Sequence, residues 1–143
     1  MKVSTKGKYG LKAMIDIAVF GKDNCISIKS IAKRQHISES YLEQLIPPLK
    51  KAGFVKSVRG AGGGYIIAMD PSEIKVGSIL RAVEDSFSQD CCVEKTSACQ
   101  EETCSCCPSK GVWEKLQASL NETADSIRLS ELATEYKQVN NIE

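Results

Sequence analysis

Four glycines within five residues, Gly60 to Gly64, separate two short apolar-bearing stretches, Phe54 to Val58 and Tyr65 to Ala68. A permissive backbone run between such stretches predicts a β-hairpin with a flexible tip, and Arg59 gives that tip a basic edge. What precedes the hairpin narrows the fold further. Between Gly7 and Gly21, the residues Leu11, Met14, Ile15, Ala18 and Val19 recur at helical spacing, with Ser4 or Thr5 placed to cap them. After Ser27, the residues Ile28, Ile31 and Ala32 mark a short second helix that ends near Gln35-His36-Ile37. Ser38 stands where an N-cap belongs, Ser40 and Glu43 fit a capping box, and Tyr41, Leu42, Leu45, Ile46 and Leu49 make a third helical face. Pro47-Pro48 predicts a kink or an early end there, because each proline removes a backbone donor. Gly53 then supplies a terminator before the first strand. Three helices followed by a two-stranded wing make a winged helix-turn-helix.

Beyond the Asp70-Pro71-Ser72 turn, Val76 to Ser86, with Ile79, Leu80 and Val83, predicts a helix able to cover the wing. The stretch from Ser88 to Gly111 has no hydrophobic periodicity and holds six of the seven cysteines. From Val112 a helix resumes with Trp113, Leu116, Leu120 and Ile127 on one side, and a last short segment runs from Ser130 to Tyr136. An apolar stripe projecting beyond a small domain has to be covered, and a second copy of the chain is the economical cover. The expected fold class is mainly α with a small β wing, a winged helix-turn-helix domain plus a long C-terminal dimerisation helix. Its expected parts are residues 1–87 (winged domain), 88–111 (cysteine-rich loop) and 112–143 (dimerisation helix and tail).

The formal net charge of +1 hides a division. Residues 1–65 carry 12 Lys+Arg against 4 Asp+Glu, and the remainder carries 7 against 14. Phosphates reward clustered positive charge, so a basic half on a nearly neutral chain points to double-stranded DNA as a partner. In a helix-turn-helix, the second helix offers its N-terminal residues to base edges in the major groove. Here the candidates are Ser38, Ser40, Tyr41, Glu43 and Gln44. Gln pairs with adenine, Glu accepts from cytosine, and Ser or Tyr suits phosphate or either base. Glu43 either selects against wrong sites by repelling phosphate or only caps the helix with Ser40. Arg59, with Gly60 beside it, suits a narrow minor groove. The other reading of the tip is a surface hairpin with an incidental arginine; Lys50, Lys51 and Lys56 alongside favour DNA.

Composition is that of an ordinary globular chain, 42% hydrophobic and 26% charged, and no apolar run approaches a membrane span. The opening Met1 to Lys6 leads into a lysine-bearing amphipathic stretch without a secretory core, so the cytoplasm is the expected compartment and no membrane partner is expected. An enzyme is not expected. No Ser-His-Asp set, paired-carboxylate cleft or dinucleotide loop is recognisable, and the glycine run lacks the Lys and Ser/Thr of a phosphate-binding loop.

Six cysteines, Cys91, Cys92, Cys99, Cys104, Cys106 and Cys107, fall in one short stretch, and Cys25 stands apart as an expected small hydrophobe. In a reducing compartment such density points to metal or redox chemistry. Thiolates are soft ligands that suit iron-sulfur clusters and zinc alike, and spacing does not choose between them. A zinc knot that folds the loop, or a thiol pair such as Cys104 and Cys107 that oxidises reversibly, are the competing readings.

Three stretches carry a family resemblance: Ser4-Thr5-Lys6-Gly7-Lys8-Tyr9, Ile37-Ser38-Glu39-Ser40-Tyr41-Leu42-Glu43-Gln44-Leu45, and Val58-Arg59-Gly60-Ala61-Gly62-Gly63-Gly64-Tyr65. With Val112-Trp113 after the cysteines, the chain resembles, over almost its whole length, the Rrf-two family of bacterial winged-helix regulators, nearest its IscR-like branch. The resemblance implies a homodimer on a pseudo-palindromic operator that senses iron-sulfur status, nitric oxide, redox state or cysteine supply, and a repressor of iron-sulfur biogenesis or related genes. It also implies a 2Fe-2S cluster on three cysteines and a histidine, the last cysteine six residues before the tryptophan and the histidine three before it. Counted back from Trp113, Cys107 takes the cysteine place, but Lys110 takes the histidine place, and a protonated lysine has no lone pair for iron. The only histidine is His36. The implied ligands are thus Cys92, Cys99 and Cys107, with Cys104, Cys106 or Cys91 as the fourth or the position open. An open or all-cysteine site also admits 4Fe-4S, as in the NsrR-like branch, whose aspartate near the N-terminus is matched here by Lys8; 2Fe-2S ranks first. Cluster-assembly or cysteine-synthesis proteins are further partners to expect, and an electron carrier or a cluster-free cysteine-metabolism regulator are the alternative functions.

Overall fold

The computed structural model describes residues 3–84, 87 and 108–143. Among the described residues are six helices and one hairpin: α1 (Thr5–Phe20), α2 (Ile28–Gln35), α3 (Glu39–Lys51), β1 (Val55–Val58), β2 (Gly64–Ile67), α4 (Val76–Val83), α5 (Lys110–Ser126) and α6 (Leu129–Val139). This is a winged helix-turn-helix with two further helices at its C-terminal end.

Local chemistry sets most of the boundaries. Ser4, Ser27 and Ser38 each cap a helix, their side chains accepting from the amides of Gly7, Ser30 and Tyr41. The cap of α3 is therefore Ser38, and the expected capping box of Ser40 with Glu43 does not form, since both already lie inside the helix. His36, at φ 54°, ends α2 in the left-handed region, and the Ile37 amide donates back to the Ala32 carbonyl. That reversal leaves only three residues between α2 and α3. Pro47 and Pro48 neither end α3 nor split it: the helix continues to Lys51. Their missing donors would have faced the carbonyls of Glu43 and Gln44, two residues on the exposed side of the helix.

One core joins these elements. Ala13, Met14 and Ile17 of α1 meet Ile31 of α2, Leu42, Leu45, Ile46 and Leu49 of α3, Val55 of β1, Ile74, Ile79 and Val83, and Leu129 at the head of α6. Helix α4 packs on α1 and α3 rather than over the wing. Its other face gathers a smaller cluster, Val76 and Leu80 with Phe87 and Ala124, against which Leu120 and Ile127 rest. Helix α5 starts at Lys110, ahead of the expected Val112, and buries only its C-terminal half this way; Val112, Trp113 and Leu116 remain exposed. The junction between α5 and α6 is stitched to the chain before α4. Val76 donates to Ile127, Leu129 to Ile74 and Ser130 to Pro71, all backbone to backbone. Helix α6 then lies along α1.

A buried ion pair ties α1, α2 and α6 together. Asp16, fully buried on α1, accepts from Nε and a terminal nitrogen of Arg34 at 2.9 and 2.6 Å and from Gln35 Nε2 at 3.0 Å. This bond to Asp16 raises the Arg34 pKa further above its ordinary value. Gln35 also donates to the Tyr136 hydroxyl at 3.3 Å, and the Phe20 ring sits between Arg34 and Tyr136. Removing one partner of a buried pair strands the other charge. Arg34→Ala should thus lower stability by about 3 kcal/mol, whereas Tyr136→Phe, which removes one long neutral bond, should cost about 0.5–1 kcal/mol. Urea unfolding of the two variants checks the order; equal costs would mean that the ion pair does not organise this contact.

Candidate nucleic-acid interface

Helix α3 divides cleanly into two faces. Leu42, Leu45, Ile46 and Leu49 are buried, while Ser40, Glu43, Gln44 and Pro47 are exposed on the opposite side, together with Ser38 and Glu39 at the N-terminus. The five residues expected on this helix are therefore brought together at its free end, with Tyr41 half-buried at the edge. Ser38 Oγ is used as the cap acceptor, at 3.3 Å from the Tyr41 amide, which leaves its hydroxyl proton free to donate outward. Glu43 has no capping role, so its carboxylate stands in solvent on the exposed face of α3.

Tyr41 is oriented by a contact that sequence periodicity did not suggest. Its ring meets Tyr9 of α1 edge to face, with centroids 5.5 Å apart and an interplanar angle of 88°. Lys12 Nζ lies over the Tyr9 ring, 5.9 Å from its centroid. The N-terminal half of α1 thus buttresses the start of α3.

The wing is an antiparallel pair with Val55 opposite Ile67 and Val58 opposite Gly64. Arg59 and Gly60 are exposed at its tip, and Gly60 has φ +121°, a conformation that a side chain would strain. The wing is held at three points along its length. Ile26 and Tyr65 exchange backbone hydrogen bonds at 2.9 and 2.8 Å, Lys50 Nζ donates to Ser57 Oγ at 2.9 Å, and the Cys25 thiol donates to the Gly62 carbonyl at 2.6 Å. Cys25 is half-buried and bonded to the wing turn, which corrects its expected role as mere apolar filler. Gly64 is present because the chains come too close for a side chain: a Cβ there would lie 2.5 Å from the Ile26 carbonyl oxygen.

Cys92, Cys99 and Cys107, and the alternatives Cys91, Cys104 and Cys106, lie outside the described residues. Among the described residues no group of three or more His, Cys, Asp or Glu is placed to hold a metal ion. Lys110, in the place of the histidine, heads α5 with its Nζ 3.7 Å from Glu114, and so takes part in a surface ion pair. No described helix is long and apolar enough to cross a membrane.

The sequence profile of the Rrf2 family, described as an iron-dependent transcriptional regulator, matches residues 3–135. The chain belongs to the Rrf2 family. It is 40% identical over 134 residues to the HTH-type transcriptional regulator CymR of Bacillus subtilis, covering 94% of this chain and 91% of that one. It is 41% identical over 132 residues to the regulator IscR of Aliivibrio salmonicida, covering 92% and 77%. Among solved structures, T. potens IscR superposes with a TM-score of 0.76 at 47% identity, over 97% of this chain and 90% of that one. As an Rrf2 protein the chain is a DNA-binding, winged-helix transcription regulator.

The geometry of the wing makes a demand on Gly64 that it does not make on Gly62. Gly64→Ala should break the Ile26–Tyr65 exchange and destabilise the wing by about 1–3 kcal/mol. Gly62→Ala meets nothing within 4 Å and should be tolerated. Amide exchange at Ile26 and Tyr65 reads the difference, and slow exchange in both variants would show that the close approach is not required.

Proposed function

We propose that this Rrf2 protein is an operator-binding regulator whose cysteine-rich segment holds an iron-sulfur cluster and sets operator affinity by its occupancy. The observation that supports this most is the donor set: six cysteines between Cys91 and Cys107, inserted between α4 and α5 of a winged-helix regulator similar to IscR proteins. Soft thiolates in that number fit an iron-sulfur cluster, which when bound would supply redox and nitric-oxide sensitivity. Cys92, Cys99 and Cys107 would hold it, with Cys104, Cys106 or Cys91 as the fourth donor. The Lys110–Glu114 pair supports a thiolate fourth ligand, since Lys110 is a charged surface residue where IscR-like proteins place a histidine. A 2Fe-2S cluster is favoured over 4Fe-4S. The protein would act in the cytoplasm, repressing iron-sulfur biogenesis or related genes.

In this reading the winged unit, residues 1–87, binds double-stranded operator DNA. Ser38, Ser40, Tyr41, Glu43 and Gln44 face base edges and phosphates in the major groove, and Arg59 with Gly60 enters the minor groove. The exposed Val112, Trp113 and Leu116 on α5 are covered by the same helix of a second copy, which gives a homodimer matched to two operator half-sites. Glu43, with no structural task, acts as a selector that tolerates a cytosine amino group and rejects other pairs.

A second reading has its own observation. The chain is also 38% identical to the solved CymR, described as the global cysteine regulator of B. subtilis, over 94% of this chain. In that case the signal would be cysteine supply or thiol oxidation, conveyed without a cluster.

An anaerobic absorption spectrum with iron and acid-labile sulfide assays separates the two. Colour with iron and sulfide in equal amounts is expected, lost in the Cys92→Ala, Cys99→Ala, Cys107→Ala triple variant; a colourless protein after reconstitution would favour the cysteine-regulator reading. For the interface, Glu43→Ala should relax discrimination at one base pair by about 1–3 kcal/mol, while Arg59→Ala should weaken binding most at operators with an A·T-rich segment under the wing and reduce the salt slope by about 1. Unchanged base preference in Glu43→Ala, measured over a panel of single-base operator variants, would remove it from the reading head.

A further inference from the structure

Glu84 follows α4 and is the last described residue but one before the cysteine-bearing stretch. It is almost fully buried, at 3% exposure. Its Oε1 accepts from the Ser4 amide at 2.7 Å, the Ser4 hydroxyl at 2.5 Å and the Gly7 amide at 3.0 Å. These donors belong to the cap and first turn of α1, whose leading amides have no partner inside the helix and which favours a negative charge. Among the described residues no lysine, arginine or histidine pairs with this carboxylate. Gly7 makes the seat possible, because a Cβ there would collide with Oε1, and Val83 packs against Gly10 one turn on. Three residues later, Phe87 is buried in the cluster between α4 and α5, and its carbonyl accepts from Gln117 Nε2 at 2.9 Å. The root of the cysteine segment is thus held at two points, by Glu84 on α1 and by Phe87 on α5.

Helix α1 is also the element that buttresses the recognition helix through Tyr9 and Tyr41. We propose that Glu84 is a positioning residue that joins the root of the cysteine segment to the first turn of α1, and through Tyr9 and Tyr41 to the reading face. This rests on the sensor reading above. The contact behaves as a latch. Withdrawing Glu84 strands three donors and a desolvated carboxylate together, so the segment and α1 move as a unit or stay seated as one.

The test compares operator Kd for the full chain in its metal-free form and after anaerobic reconstitution with ferrous iron and sulfide. Where no iron is taken up, the reduced and disulfide-oxidised forms are compared instead. The wild-type ratio of the two Kd values should be at least about fivefold, the lower end of ordinary couplings, and should fall to within about twofold of unity in Glu84→Ala. Glu84→Gln, which keeps an oxygen acceptor, should restore part of the ratio, a pattern that a purely structural loss would not give. Ser4→Ala loosens the same contact from the α1 side and should also lower the ratio, which keeps the test open if Glu84→Ala fails to fold. A folded Glu84→Ala protein with the wild-type ratio overturns the proposal while leaving the sensor reading intact. A wild-type ratio of unity overturns the sensor reading instead. Amide exchange at Gly7 and Lys8 then decides the latch: protection that changes with the state of the cysteines in wild type but not in Glu84→Ala upholds it, and protection indifferent to that state in wild type overturns it.

Discussion

The buried pair between Asp16 and Arg34 is the constraint on which the reading head depends. Asp16 sits in the middle of α1 with no exposure, and a carboxylate there is tolerable only if its charge is met at close range. Arg34 meets it from the last turn of α2, Gln35 adds a second donor, and Tyr136 of α6 joins through Gln35. With the last turn of α2 pinned, His36 and Ile37 reverse the chain in a fixed direction, and α3 packs its apolar face into the core from there. The pair thus acts less as a source of stability than as a register mark: only one arrangement of α1, α2 and α6 satisfies it.

The wing shows the same principle with backbone groups in place of charges. Its two strands are too short to be stable alone, and they hold because Ile26 adds a paired residue at the edge while Lys50 braces β1 and Cys25 the turn. The glycines divide into two kinds. Gly64 is required by a close approach, whereas Gly60 is required by its backbone conformation. Arg59 is thereby left exposed beside a turn that the Cys25 thiol holds at Gly62.

Much of this was legible from the chain. Helical spacing placed α1, α2 and α3 to within a few residues, and the serines at 4, 27 and 38 marked their starts because a side-chain oxygen beside an apolar run has one evident use. The outward face of α3 followed from the same periodicity, since the residues left over from the core must face solvent. The errors had local causes. Pro47 and Pro48 predict a kink or an end by local rule, yet α3 runs through them to Lys51. Hydrophobic spacing states that a face of α4 is buried and not against what, so the cover it suggests for the wing is met instead by α1 and α3.

The sequence by itself determined the three helices, the hairpin and the exposed face of the third helix, because each of these rests on neighbours within a turn or two of chain. Only the tertiary structure decided that Glu84 seats on Ser4, 80 residues away, that Asp16 meets Arg34, and that Cys25 reaches Gly62. Such pairings join polar groups whose partners no local pattern specifies. They are chosen when the core closes and a buried donor or acceptor must find whatever complementary group the packed helices bring within reach.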